Sequence, residues 1–328
     1  MLTFIALDRG TASDGAQLMA RFSDLRYNLT RFAKAFSIVL ALLLFGFISV
    51  GMISGFLVYQ ALHPARTPSG IDLSLMMGHP STFNFADTNG ALRDGWFFPG
   101  QRGGPPVVVC HGYGAQRSEV LTLVTALQEH GFNVFLFDFS GHGSSPGITT
   151  LGYRETAELR LAIQKIAGRD DVDPSHFGLW GADMGGYAAL EVATSDKRVA
   201  AVAVDDAYAD PRDMLQIQVK ASGLTAIPYV SRFSDLAFRL ATYQYRNPPP
   251  VTAQMAATIG TYKLFVQSDD HPALAEDTVE LFVKSPQPKQ LARDRQSYSE
   301  MPDDDRKAYE SKIVNFFLES IPPTSRQN

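Results

Sequence analysis

The chain has 328 residues, 45% of them hydrophobic and 19% charged, with 34 acidic against 29 basic side chains and a single cysteine. The apolar fraction can fill a core, which excludes a wholly disordered chain. A net charge of −5 argues against a nucleic-acid partner, which asks for a basic patch. With Cys110 alone, an intramolecular disulfide framework and a multi-thiolate metal site are excluded as well.

In chain order, residues 1–34 read as a polar leader with scattered Phe and Leu and room for a short amphipathic helix. Residues 35–62 carry no charge, and Phe36–Val58 reads FSIVLALLLFGFISVGMISGFLV. About 20 apolar residues span a bilayer core, whereas a signal-peptide core runs to about 7–15. No small-x-small cleavage pattern follows, so the segment is predicted to be a single membrane anchor. Arg21, Arg26, Arg31 and Lys34 precede it and only Arg66 follows closely. The excess of positive charge keeps the N-terminus cytoplasmic and sends the main domain to the other side. Residues 63–104 are read as a linker (HPARTPSG) and antiparallel strands, with turn signals at Asn89-Gly90 and Pro99-Gly100.

From Pro105 onward, short apolar runs alternate with helical stretches. Strands are predicted at Val107–Cys110, Asn133–Asp138, His176–Trp180, Val199–Val204 and Tyr262–Gln267. Helices are predicted at Glu119–His130, Tyr153–Ile166 and Met184–Ala193, with a closing helix around Ile313–Leu318. This alternation implies an α/β domain over 105–328, a mostly parallel sheet flanked by helices. Ligands of such sheets bind beyond the carboxyl ends of the strands. Residues 210–255 break the rhythm with an apolar helical stretch and Pro248-Pro249-Pro250, read as a small helical lid.

Three strand ends carry the motifs His111-Gly112-Tyr113-Gly114, Gly141-His142-Gly143-Ser144 and Gly181-Ala182-Asp183-Met184-Gly185-Gly186. In this order, with TTLGYRE and AVAVDDAYAD, the chain from Pro105 onward resembles the α/β-hydrolase superfamily, in particular its membrane-anchored or secreted serine-hydrolase branch. The resemblance implies an α/β-hydrolase fold and esterase- or peptidase-like ancestry. It makes the turn at Asp183 a nucleophile elbow, which needs small neighbours, here Gly181 and Gly185. The backbone N–H groups of Tyr113 and Met184 would form its oxyanion hole.

The resemblance also implies a serine at the elbow, an acid after a late strand and a histidine nearer the C-terminus. Asp183 stands where the serine is expected. Asp270 is the candidate acid, with Asp269 as its alternative. No histidine follows His271, and the stretch aligned with the catalytic histidine reads RDRQSYSEMPDDD, with Ser297 or Tyr298 near that slot.

Two readings of Asp183 follow. As a carboxylate nucleophile it would attack an epoxide, halide or ester, with His271 as an improvised base. As a replacement in a site that has lost its chemistry, it would accept the N–H groups that otherwise hold an oxyanion and would stabilise the elbow. The second reading explains both losses and is preferred: a catalytically impaired, membrane-anchored protein binding a small apolar or peptide-like ligand, or a protein partner. His111 and His142 read as loop-shaping, and Cys110 as a buried strand residue. No spacing of ligand residues implies a metal or an organic cofactor.

Overall fold

The computed structural model describes residues 10–73, 78–245 and 248–323. The first nine residues of the leader, residues 74–77 of the linker region and 246–247 of the expected lid lie outside them. Helix α1 runs unbroken through Gly10–Leu62, so the described part of the leader holds no separate short helix. This stretch contains no proline, and the helix stops just before His63-Pro64, where a residue preceding proline is pushed out of the helical region. The stretch Gln17–Leu62 is long and apolar enough to cross a membrane. By internal packing the chain divides into Met1–Ile53 and Ser54–Asn328. The last turns of α1 therefore belong to the second unit, where Leu57, Val58, Ala61 and Leu62 are buried.

The second unit is built on eight strands: β1 (Ser81–Ala86), β2 (Leu92–Phe98), β3 (Pro106–Cys110), β4 (Asn133–Phe137), β5 (Phe177–Ala182), β6 (Val199–Asp205), β7 (Tyr262–Ser268) and β8 (Lys289–Asp294). They lie in the order β1-β2-β4-β3-β5-β6-β7-β8. β1–β2 and β2–β4 pair antiparallel, and every other neighbour is parallel. β3 and β4 are buried along their whole length, as expected of strands covered on both faces.

The connections supply α2 (Leu121–Glu129), α3 (Tyr153–Ala167), α4 (Asp183–Ala193), α5 (Pro211–Ala221), α6 (Val230–Ala241), α7 (Val251–Gln254), α8 (Pro272–Lys284) and α9 (Asp303–Ser320). Side chains alternate across a strand. Val107, Val109, Val134, Leu136, Trp180, Ala203 and Val266 thus share one face, in a single cluster with Leu123 and Leu127 of α2 and Ile313 and Phe317 of α9. α3 and α4 pack together, and α4 lies against β5 and β6. The insertion expected to be a lid contains α5, α6 and α7.

Candidate functional site

The end of β5 turns sharply into α4 at Asp183, whose φ is +34°. Only small neighbours permit the turn. A Cβ on Gly181 would lie 2.6 Å from the Gly186 nitrogen, and one on Gly185 would lie 2.7 Å from the His111 carbonyl oxygen. The Asp183 carboxylate faces the loop after β3. Its Oδ1 accepts the Tyr113 N–H at 2.7 Å and also the N–H of Met184. Its Oδ2 lies over Gly112, where a Cβ would collide with it. Burial pushes this carboxyl up to about 6, against the opposing pull of the two N–H groups and of His271.

The supporting loops are tied by buried polar groups. His111 bridges the β3 and β4 loops. Its Nδ1 is 2.8 Å from the Gly112 carbonyl oxygen, and its Nε2 is 3.0 Å from the Phe139 nitrogen. Burial lowers its pKa to about 4, so the ring is neutral, with Nδ1 donating and Nε2 accepting. The Asp138 carboxylate accepts the N–H groups of Arg117 at 2.7 Å and Ser144 at 2.9 Å, joining the same two loops. Tyr113 also donates its hydroxyl to the Ala61 carbonyl at 3.0 Å, linking the loop to the end of α1. Cys110 is fully buried, and burial pushes its thiol pKa up.

Two separate acid pairings occupy the carboxyl ends of the later strands. Asp270, after β7, accepts the Ser297 N–H at 3.0 Å and the Ser297 hydroxyl at 3.3 Å. Despite the upward push of burial, hydrogen bonds from Ser268 and Ser297 hold its pKa below the usual value. Ser297, from the segment aligned with the family's histidine, thus takes up the acid. His271 turns elsewhere, with Nδ1 3.4 Å from Oδ2 of Asp206 at the end of β6. Asp206 has φ +47°, is buried, and accepts the Ser268 N–H at 2.8 Å.

The hydrogen bond to Asp206 raises His271 to about 9, with Asp270 and Asp183 adding to the effect against burial. His271 is therefore an imidazolium at neutral pH and has no lone pair for a proton from water. The atoms of Asp206, Asp270 and His271 lie within 4.8 Å of one another, a grouping hidden in the sequence because its members come from two strand ends.

A cavity of about 320 Å³ opens beside Asp183. Its walls are the loop and helix after β3 (Gly112, Tyr113, Ala115, Val120), Trp180 of β5, and Tyr298 and Arg306 from the C-terminal segment. Neither Met184 nor the described part of the expected lid lines it. Met184 is fully buried, because its side chain turns inward at the first turn of α4, and no described residue of 210–255 lines the cavity. The Arg306 Nε at this wall is buried without a hydrogen-bond partner among the described residues.

Three contributors escaped the sequence reading. Asp206 lay in the quoted Asp205-Asp206 pair, and two acids at the carboxyl end of a buried strand were a signal that was present but unassigned. Gly112 looked like a loop residue and proves to be the space for Oδ2. The docked end of α1 had no local signal, since its burial depends on the partner surface.

A strand-turn-helix elbow with two convergent N–H donors, on a sheet of this order, defines the class. The alpha/beta hydrolase fold family model matches residues 105–314, and the chain belongs to that family. Among curated proteins, it is 36% identical over 107 residues to the uncharacterized protein Rv2307c of Mycobacterium tuberculosis H37Rv, covering 32% of this chain and 38% of that one. It is 30% identical over 147 residues to YfhR of Escherichia coli K12, covering 42% and 51%. It is 32% identical over 125 residues to the polyketide transferase grgF of Penicillium sp, covering 37% and 42%. The chain thus spans about half or less of the length of these relatives. Among solved structures, the Pyrococcus furiosus esterase Pf2001 superposes with a TM-score of 0.61 at 16% identity, covering 79% of this chain and 100% of that one.

Proposed function

We propose that this chain is a membrane-anchored α/β-hydrolase-fold protein, impaired in acyl transfer, that binds a small apolar or peptide-like ligand in the cavity beside Asp183. The observation that carries the reading is the Asp183 carboxylate, which occupies both N–H donors of the oxyanion hole. An ester passing through a tetrahedral intermediate would need those donors for its own oxyanion, and an anion already seated there repels the developing charge. The missing base points the same way, since Ser297 takes up Asp270 and His271 is held protonated by Asp206. The cavity offers aromatic walls in Tyr113, Trp180 and Tyr298 for an apolar ligand. The apolar α1 supplies the anchor. The basic residues before it favour a cytoplasmic N-terminus and an extracytoplasmic domain.

One observation favours a second reading, in which Asp183 is a nucleophile. Only Oδ1 sits in the hole, and Oδ2 is left over Gly112. Oδ2 attacking an alkyl carbon would expel halide, or open an epoxide to an alkoxide that takes a proton, and leave an alkyl ester on Asp183. Hydrolysis of that ester needs a base to take a proton from water.

The test is turnover of an ester, epoxide and alkyl halide panel by the wild type and by Asp183→Asn, with the intact mass of each protein recorded. Rates equal to the uncatalysed background for both proteins, with no mass increase, are expected. Turnover or a mass adduct present in the wild type and absent from D183N would replace this proposal with the nucleophile reading.

A further inference from the structure

Helix α6 buries one face against the domain and carries a second, mostly exposed apolar stripe. Val230, Ser234 and Phe238 are buried against the domain. Tyr229, Phe233, Leu236, Leu240 and Tyr243 recur at intervals of three and four residues. At about 100° per residue, Phe233, Leu236 and Leu240 fall within an arc of about 60° on one side of the helix, with Tyr229 and Tyr243 just beyond its two ends. Phe233 is half-buried, whereas Tyr229, Leu236, Leu240 and Tyr243 are 64%, 52%, 66% and 75% exposed. Arg232 and Arg239 lie along one border of this stripe, with Arg239 paired to Asp235 at 2.9 Å.

The place of this helix says what covers the stripe. Ser54, fully buried, donates its hydroxyl to the carbonyl of Val230 at 3.1 Å, at the first residue of α6. Ser54 is itself part of the apolar run Phe36–Val58. At about 1.5 Å per residue that run is about 34 Å long, against about 30 Å for a bilayer core. Ser54 lies four residues, or about 6 Å, from the end of the run. The start of α6 is thereby fixed at the depth of the run's final turns. An amphipathic helix resting on a membrane buries its apolar face by about 5–10 Å, with Arg or Lys at its border meeting lipid phosphates.

We infer that α6 lies in the surface of the same bilayer that α1 enters, with Tyr229, Leu236, Leu240 and Tyr243 among the lipids and Arg232 at headgroup level. The inference rests on the reading of α1 as a membrane anchor and is independent of whether the site turns over substrate. It makes the insertion a membrane-facing plate beside the elbow. This accords with its residues being absent from the cavity wall.

The full chain, reconstituted in phosphatidylcholine–phosphatidylglycerol nanodiscs, tests this by single nitroxide labels at Leu236→Cys, Leu240→Cys, Leu43→Cys and Gln164→Cys. Native Cys110 is buried with a raised thiol pKa and stays unlabelled. Collision with oxygen is compared with collision with a water-soluble nickel chelate. At 236 and 240 the ratio is expected to favour oxygen, less strongly than at 43 and opposite to the exposed 164. Labels at 236 and 240 that match 164 while 43 remains lipid-buried would overturn the inference and leave the anchor intact. A water-exposed label at 43 would overturn the anchor reading along with it. Dipolar broadening at 236 and 240, with low access to both probes, would assign the stripe to a second copy of the chain and likewise overturn the inference.

Discussion

Replacing Asp183 by Asn removes a charge from the elbow while keeping an acceptor for the Tyr113 and Met184 N–H groups. In the folded chain the carboxyl is raised to about 6, chiefly by burial, against about 3.9 when unfolded. The folded state therefore holds the proton more tightly between these values. The contribution of Asp183 to stability is greatest below about pH 4, falls as pH rises through about 4 to 6, and stays lower above. About 2 pH units at about 1.4 kcal/mol each set a ceiling near 3 kcal/mol. Partial access of water to the group discounts this to about 1–3 kcal/mol.

Asn has no such titration, so the stability of Asp183→Asn relative to wild type should rise by this amount between pH 4 and 7.5. At about 2–4 °C per kcal/mol for a domain of this size, that is about 2–12 °C in Tm. Melts followed by the fluorescence of the buried Trp96 and Trp180, in detergent micelles, read the difference. Other raised acids, such as Asp213 and Asp277, titrate in both proteins and cancel. A gap that stays constant or narrows with rising pH would refute the reasoning, because it would mean that the two N–H donors outweigh burial and favour the charged form.

Gly112→Ala places a Cβ against the Asp183 carboxylate. It should lower stability by about 1–3 kcal/mol and abolish the pH 4–6 slope as the carboxyl leaves the hole; an unchanged slope in the same melts would count against the packing described. His271→Asn removes a group whose folded pKa is raised to about 9. The contribution of His271 is present below about pH 6.5 and lost as pH rises through about 9, so the variant should be less stable than the wild type at pH 6, by no more than about 1 kcal/mol for a ring so exposed, and should equal it at pH 9.5. Leu57→Ala, at a buried site near the end of α1, should cost about 2–5 kcal/mol. Phe56→Ala, 58% exposed, should stay within about 0.5 kcal/mol in the same micelles, and equal effects would mean that the end of α1 does not dock.

The parts of this fold set by local pattern were legible. Val107–Cys110 and Asn133–Asp138 announce buried parallel strands by composition, and Gly181 and Gly185 announce the elbow by spacing. β8, Lys289–Asp294, was missed, because KQLARD is a half-exposed edge strand with little apolar signal. Within the site, the positions of Asp183, Asp270 and His271 at strand ends followed from topology. Their partners did not, since Asp206 reaches His271 across 65 positions, and Ser297 reaches Asp270 only once β7 and β8 are paired. The break at Ile53/Ser54 was invisible for a related reason. The helix is continuous in sequence and changes environment only through the surface it meets.

The left-handed turn at Asp183 has a consequence for how such a chain drifts over generations. A strained elbow is ordinarily maintained by the reaction it serves, and a lineage that stopped catalysing would be free to relax it. Here the side chain at the apex is bonded to the two amides that the turn exposes, so folding itself selects for the strained shape. Mutations at Gly181, Gly185 or Gly112 remain harmful whether or not anything is hydrolysed. The outline of an active site can then be inherited intact as architecture, and its survival in a descendant is no measure of surviving chemistry.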